Sequence, residues 1–198
     1  MKFTPTAVHG AWIVDLEPHA DARGMFARTF DVDEFAAHGL DVGVVQANLS
    51  GNHHAGTVRG LHRQVPPHAE GKLVRCIAGA IVDVAADVRP DSPTFGRHVM
   101  VELTAANRRA LWVPPYVAHG YQTLVDDTEV MYQVSGPYAP GGEEGYRYDD
   151  ADLAIAWPLP VLMISDKDAA WPTLAQRGAP ATPRTRAVDE AGAEQVAR

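Results

Sequence analysis

Residues 81–88 read IVDVAADV. Val82, Val84, Ala86 and Val88 fall on one side of an extended chain, with Asp83 and Asp87 on the other. That period of two marks a β-strand, because successive side chains point to opposite faces. The pattern spreads outward, from about residue 57 to 135. VRGLHRQ (58–64) and EGKLVRCIAG (70–79) precede it; RHVMVEL (97–103), RALWVP (109–114), HGYQTL (119–124) and TEVMYQV (128–134) follow. RPDSPTFG, TAAN, PPYVA and VDD separate the later segments. Short strands at regular spacing, broken by Pro, Gly and Asp, predict an all-β antiparallel sandwich or barrel. No helical stretch intervenes, which disfavours parallel βαβ units.

One helix is predicted, in FDVDEFAAHGL (30–40): Asp31 caps, Glu34 completes a capping box and Gly39 ends it. A short apolar strand is expected just before DKD (166–168). The 198 residues suit one domain, taken as 1–174. Residues 175–198, rich in Ala, Pro, Gly and charge, are expected to form a mobile tail.

Seventeen basic residues against 25 acidic ones, a net charge of −8, argue against a nucleic-acid surface. One anionic small molecule needs only a local basic cluster. No apolar run reaches 18 residues, so no membrane span is expected, and Asp15 and Glu17 interrupt the first apolar run where a signal peptide would need its core. Cys76 is the single cysteine, which permits no internal disulfide and fits a cytoplasmic protein. Its place in LVRCIAG reads as packing.

Charge inside strands is costly unless it is paired or used. By alternation Gly60, His62 and Gln64 share one face, and His119, Tyr121 and Thr123 another. Tyr132 lies with Val130 and Val134 on an apolar, inward surface. A small barrel lined by His62, His119, Tyr132 and Lys72 would hold one ligand in its mouth. Each residue also has a structural reading: a histidine or tyrosine satisfied in the core, a lysine at a sheet edge. Arg59 and His62, three apart, should face oppositely unless a bulge intervenes. The acidic pairs at 126–127, 143–144 and 149–150 read as solvated turns. A carboxylate of ISDKDAAW would be able to orient a histidine across the barrel. His53, His54, His62, His68 and His119 are available to a metal, but no H-x-H pair with a following carboxylate occurs, so no metal is expected.

Together VRGLHRQ, EGKLVRCIAGAIVDVAADVRPDSPTFGR, LWVPPYVAHGYQTL, EVMYQVSGPYAP, DDADLAIAWPL and ISDKD resemble the dTDP-4-dehydrorhamnose 3,5-epimerase family, over about residues 12–174. The resemblance implies a cupin-type jelly roll, a homodimer, and epimerisation of a dTDP-4-keto-6-deoxyhexose at C3 and C5 without metal or organic cofactor. Carried onto this sequence, it makes His62 the general base, Tyr132 the general acid, Asp168 the partner of the base and Lys72 the cation beside the enolate. Arg23, Gln46, Asn48, Arg59, His119, Glu143 and Lys167 become substrate contacts, and Tyr138 a ring stacked on thymine. Arg23, with Gln46 and Asn48, is expected to reach a neighbouring subunit's site.

The sequence departs from the family pattern at Arg28, where a glutamate is usual, and at Arg63, where an aromatic is common. Such drift suits a relative from a specialised deoxysugar pathway, acting at C3 or C5 alone. A ketoisomerase, a non-catalytic sugar-nucleotide-binding cupin and a metal-dependent cupin oxygenase are the other readings.

Overall fold

Two antiparallel sheets pack face to face in the computed structural model, which describes residues 1–40 and 43–178. The first has six strands, in the order β1 (Lys2–Pro5), β2 (Trp12–Asp15), β10 (Ala110–Val113), β7 (Lys72–Ala78), β12 (Thr128–Val134) and β5 (Gln46–Asn52). The second has five, in the order β13 (Glu143–Gly145), β6 (Val58–Gln64), β11 (Ala118–Thr123), β8 (Ala80–Ala86) and β9 (His98–Thr104). A separate hairpin joins β3 (His19–Asp21) to β4 (Gly24–Phe26). Among the described residues helix is confined to α1 (Val32–Ala37), the short α2 (Asp166–Ala169) and a 3-10 turn at Ala175–Arg177. This is the all-β sandwich that the alternation predicts.

The alternation of IVDVAADV separates two cores. Ile81 and Ala85 enter the main cluster between the sheets, with Val74, Leu111, Val130 and Leu103. Val84, Ala86 and Val88 face a second cluster, where Leu61, Tyr146, Leu153 and Leu174 cover the outer face of the five-stranded sheet. Asp83 and Asp87 are therefore as buried as the valines, both at 0% exposure. Buried carboxylates must be bonded. Asp87 accepts from the Arg89 guanidinium at 2.7 and 2.8 Å, from Ser92 Oγ and from Thr94 Oγ1, and so ties down the RPDSPTFG turn.

Helix α1 forms where expected. The Asp31 carboxylate accepts from the backbone N–H groups of Asp33 and Glu34, and Phe35 is buried beneath the helix. Glu34 serves elsewhere than in a capping box: its carboxylate receives the Met1 ammonium at 2.7 Å.

The strand expected before residue 166 is absent. Pro158 and Pro160 cannot donate to a ladder, and only one isolated bridge forms there, Thr57 with Met163. Asp126 and Asp127 are exposed in a bend and Asp149 is exposed, as expected, but the remaining members of the acidic pairs are drawn into the structure. Glu143 and Glu144 form part of β13, and Asp150, 3% exposed, accepts from the backbone of Asp152, Leu153 and Leu174. The first tail residues form the 3-10 turn, where Arg177 donates to Gly145 O and pairs with Glu144; residues 179–198 lie outside the described residues.

Candidate active site

The five-stranded sheet carries one irregularity, and it builds the site. His62 pairs with His119 and Arg59 with Tyr121, so β6 holds one residue more than β11 between the two pairs. This bulge resolves the conflict between Arg59 and His62. Leu61 turns to the outer core, while Arg59 and His62 both line a cavity of about 570 Å³. Gly60 permits it with a φ of +115°, and a Cβ there would lie 2.6 Å from Gly120 Cα and His119 O. Gly120 is the counterpart: its added Cβ would meet Arg59 O at 2.7 Å.

Within that cavity His62 Nε2 lies 2.6 Å from Asp168 Oδ1. Asp168 is positioned by α2, whose N-cap Ser165 accepts from the Asp168 N–H. Its other oxygen accepts from Gly60 N at 3.1 Å, and Trp171 Nε1 lies 3.4 Å from Oδ1. Burial alone would raise this carboxyl, but the bonds from His62, Gly60 and Trp171 outweigh it and hold Asp168 below the usual carboxylate range. An ionised Asp168 accepts a hydrogen bond from Nε2–H, so in the neutral imidazole Nδ1 is the nitrogen without a proton; it lies 3.6 Å from Glu143 Oε1.

Tyr132 enters from β12, in the opposite sheet, and packs against the main core. Burial pushes its phenol above its ordinary value, with Tyr121 and Glu70 adding to the shift, so the hydroxyl keeps its proton. Lys72, at the start of β7, meets Glu70 at 3.3 Å. His119 Nε2 meets Asp83 Oδ1 at 2.8 Å, forming a second histidine–carboxylate pair on the cavity wall. Burial raises Asp83, against the pull of His119, and its Oδ2 has no hydrogen-bond partner among the described residues.

Gln46, Asn48, Tyr138 and Glu143 also line the cavity. Gln46 and Asn48 thus line this chain's own cavity. Tyr138, 60% exposed, stands at the rim, where its N–H donates to Gln46 Oε1. Lys167 lies just outside the lining, paired with Glu143 and 5.5 Å over the Trp171 ring. Arg23 is not brought there: it sits in the β3–β4 turn, exposed and bonded to Asp21. Arg28 pairs with Asp31, and Arg63 meets Glu144 at 2.6 Å and Tyr116 O at 3.0 Å. Glu70 and Ser165 escaped the sequence reading, which placed Asp83 and Tyr121 on strand faces without assigning them to the site. Spacing offers a signal for Glu70, since Glu70 and Lys72 lie two apart in extended chain. Among the described residues no group of three or more His, Cys, Asp or Glu side chains is arranged to hold a metal ion.

Residues 5–176 match the model of the dTDP-4-dehydrorhamnose 3,5-epimerase family. A dTDP-4-dehydrorhamnose 3,5-epimerase of Sinorhizobium fredii is 41% identical over 177 residues, 89% of this chain and 91% of the relative. The Legionella pneumophila epimerase solved with dTDP-4-keto-L-rhamnose superimposes with a TM-score of 0.83 at 36% identity, covering 94% of this chain and 99% of the other. A 3'-monoepimerase from Streptomyces bikiniensis, solved with dTDP-quinovose, gives 0.80 at 36% identity, covering 88% of each chain. With a family match spanning most of its length and the cavity described above, this chain belongs to the dTDP-4-dehydrorhamnose 3,5-epimerase family.

Proposed function

We propose that the protein epimerises a dTDP-4-keto-6-deoxyhexose at C3 and C5 through an enolate, using only its own side chains for proton transfer. One observation carries this reading: the His62–Asp168 pair and the Tyr132 phenol enter one cavity from opposite sheets. The C4 ketone acidifies the hydrogens on its two neighbouring carbons. His62 Nδ1 removes one of them, and Asp168 holds the imidazolium that results. Lys72 stabilises the developing enolate oxygen, an interaction worth several kcal/mol in a site of this kind. Tyr132 returns a proton on the opposite face, and inversion follows. Positioned acid–base transfer of this type contributes ~10²–10⁴-fold. Arg59 and Lys167 meet the pyrophosphate and Tyr138 the base, so a chain of net charge −8 supplies cations where the anionic ligand needs them.

The test is turnover of the 4-keto sugar nucleotide in D₂O with NMR readout. Deuterium at both C3 and C5 is the expected result; none with folded protein removes the reading. Label at C3 alone would indicate single-position epimerisation, a reading favoured by the likeness to the S. bikiniensis monoepimerase.

The same reading places the enzyme in the cytoplasm as a homodimer. The hairpin bearing Arg23 supports the dimer, since it projects Met25 and Phe26, 45% and 71% exposed, away from the chain's own core. Light scattering should give twice the chain mass, and a fully active monomer would count against it.

A further inference from the structure

Glu70 takes no part in the proton transfers above, yet its carboxylate is buried in the cavity read here as the site of an anionic sugar nucleotide. The side chain is 8% exposed, and Oε1 lies 3.3 Å from Lys72 Nζ, whose side chain is 16% exposed. Both residues line the cavity with Tyr132. A carboxylate there weakens attraction for a pyrophosphate, so its presence calls for another cause. A lysine ammonium rides on a flexible four-carbon stem, and a fixed carboxylate restricts where that charge sits. A phenol beside an uncompensated cation also ionises more readily, and a phenolate has no proton to return.

We propose that Glu70 is a positioning residue: its carboxylate anchors the Lys72 ammonium at the cavity wall and sets the charge that the Tyr132 phenol meets. The proposal rests on the reading of Tyr132 as the proton donor. Tyr121 from β11, Arg59 from β6, Glu143 from β13 and Glu70 from the segment entering β7 line the cavity with that phenol and act on it electrostatically. Lys72, His62, His119 and Asp168 line the same cavity. After burial and Tyr121, Glu70 is the next influence holding the phenol protonated, while Arg59 acts in the opposite direction.

The experiment follows tyrosinate absorbance of the full-length protein against pH, with the Tyr132→Phe curve subtracted. In Glu70→Gln the Tyr132 midpoint should fall by about half a pH unit or more, as expected for loss of a nearby like charge. Turnover should fall about tenfold or more, the alkaline limb of its pH profile moving down with the phenol, while KM stays level or drops. Glu70→Asp retains the charge and should restore both the midpoint and most of the rate. Lys72→Met removes the cation that Glu70 offsets, so the midpoint there should rise, a readout independent of whether Glu70→Gln folds. A midpoint that stays or rises in folded Glu70→Gln, or one that fails to rise in Lys72→Met, overturns the proposal. The titration needs no substrate. A shifted midpoint in a protein that never labels the sugar would refute the proposed reaction and leave the Glu70–Tyr132 coupling standing.

Discussion

His62 and Tyr132 divide the labour of one proton exchange, and their removal should separate its halves. Without the phenol, His62 still withdraws a hydrogen and returns it on the same face. Tyr132→Phe should therefore keep washing deuterium into the sugar while the inverted product falls ~10²-fold or more; NMR in D₂O reads both at once. Asp168→Asn offers an amide where His62 Nε2–H needs an acceptor, and it turns the ring toward the wrong tautomer. Turnover should fall by on the order of 10³-fold, with dTDP affinity in calorimetry little changed. At this scale the sequence was most legible for residues that lie on strands. His62, Lys72, His119 and Tyr132 reach one cavity because alternation fixes their faces. For Asp168 the pattern went no further than a carboxylate of ISDKDAAW able to orient a histidine, and the resemblance supplied the pairing, since 106 positions separate it from His62. Asp83 was hidden because pattern cannot distinguish a solvated face from a second buried one.

The bulge in β6 is the element that turns a regular strand into a site. Because Gly60 combines a φ of +115° with close approach to Gly120 Cα and His119 O, any side chain there must move backbone. Gly60→Ala should cost ~2–4 kcal/mol in denaturant unfolding and should lower turnover beyond what lost stability explains. The alternation of VRGLHRQ predicted opposite faces for Arg59 and His62; the extra residue reconciles them, and one sequence cannot announce a bulge except through such a conflict. Helix α2 acts more locally. Its cap, Ser165, receives the Asp168 N–H at 3.1 Å. Ser165→Ala should cost about 1 kcal/mol and shift the His62 imidazole resonances in NMR by loosening its carboxylate partner.

At the scale of the whole molecule, buried carboxylates tie stability to pH. Burial would raise Asp87, but hydrogen bonds from Arg89, Ser92 and Thr94 outweigh it and hold the group below its ordinary value. A depressed folded-state pKa adds stability above the unfolded value, about 3.9, that is lost as pH falls through the folded one. Thermal unfolding should show wild type exceeding Asp87→Asn by ~1.5–3 kcal/mol at pH 7. The gap should narrow below about pH 4. The sandwich itself was legible from short alternating strands, whereas β1 to β5 and β13 were not, their apolar spacing being too brief to announce a sheet. The two-sided burial of β8 has a last consequence. Its backbone amides lie between two hydrophobic clusters and pair on either edge with β9 and β11. Local fraying cannot wet them, so their exchange with solvent deuterium waits on global unfolding, and the amides of Val82 to Ala86 should be the slowest in the chain.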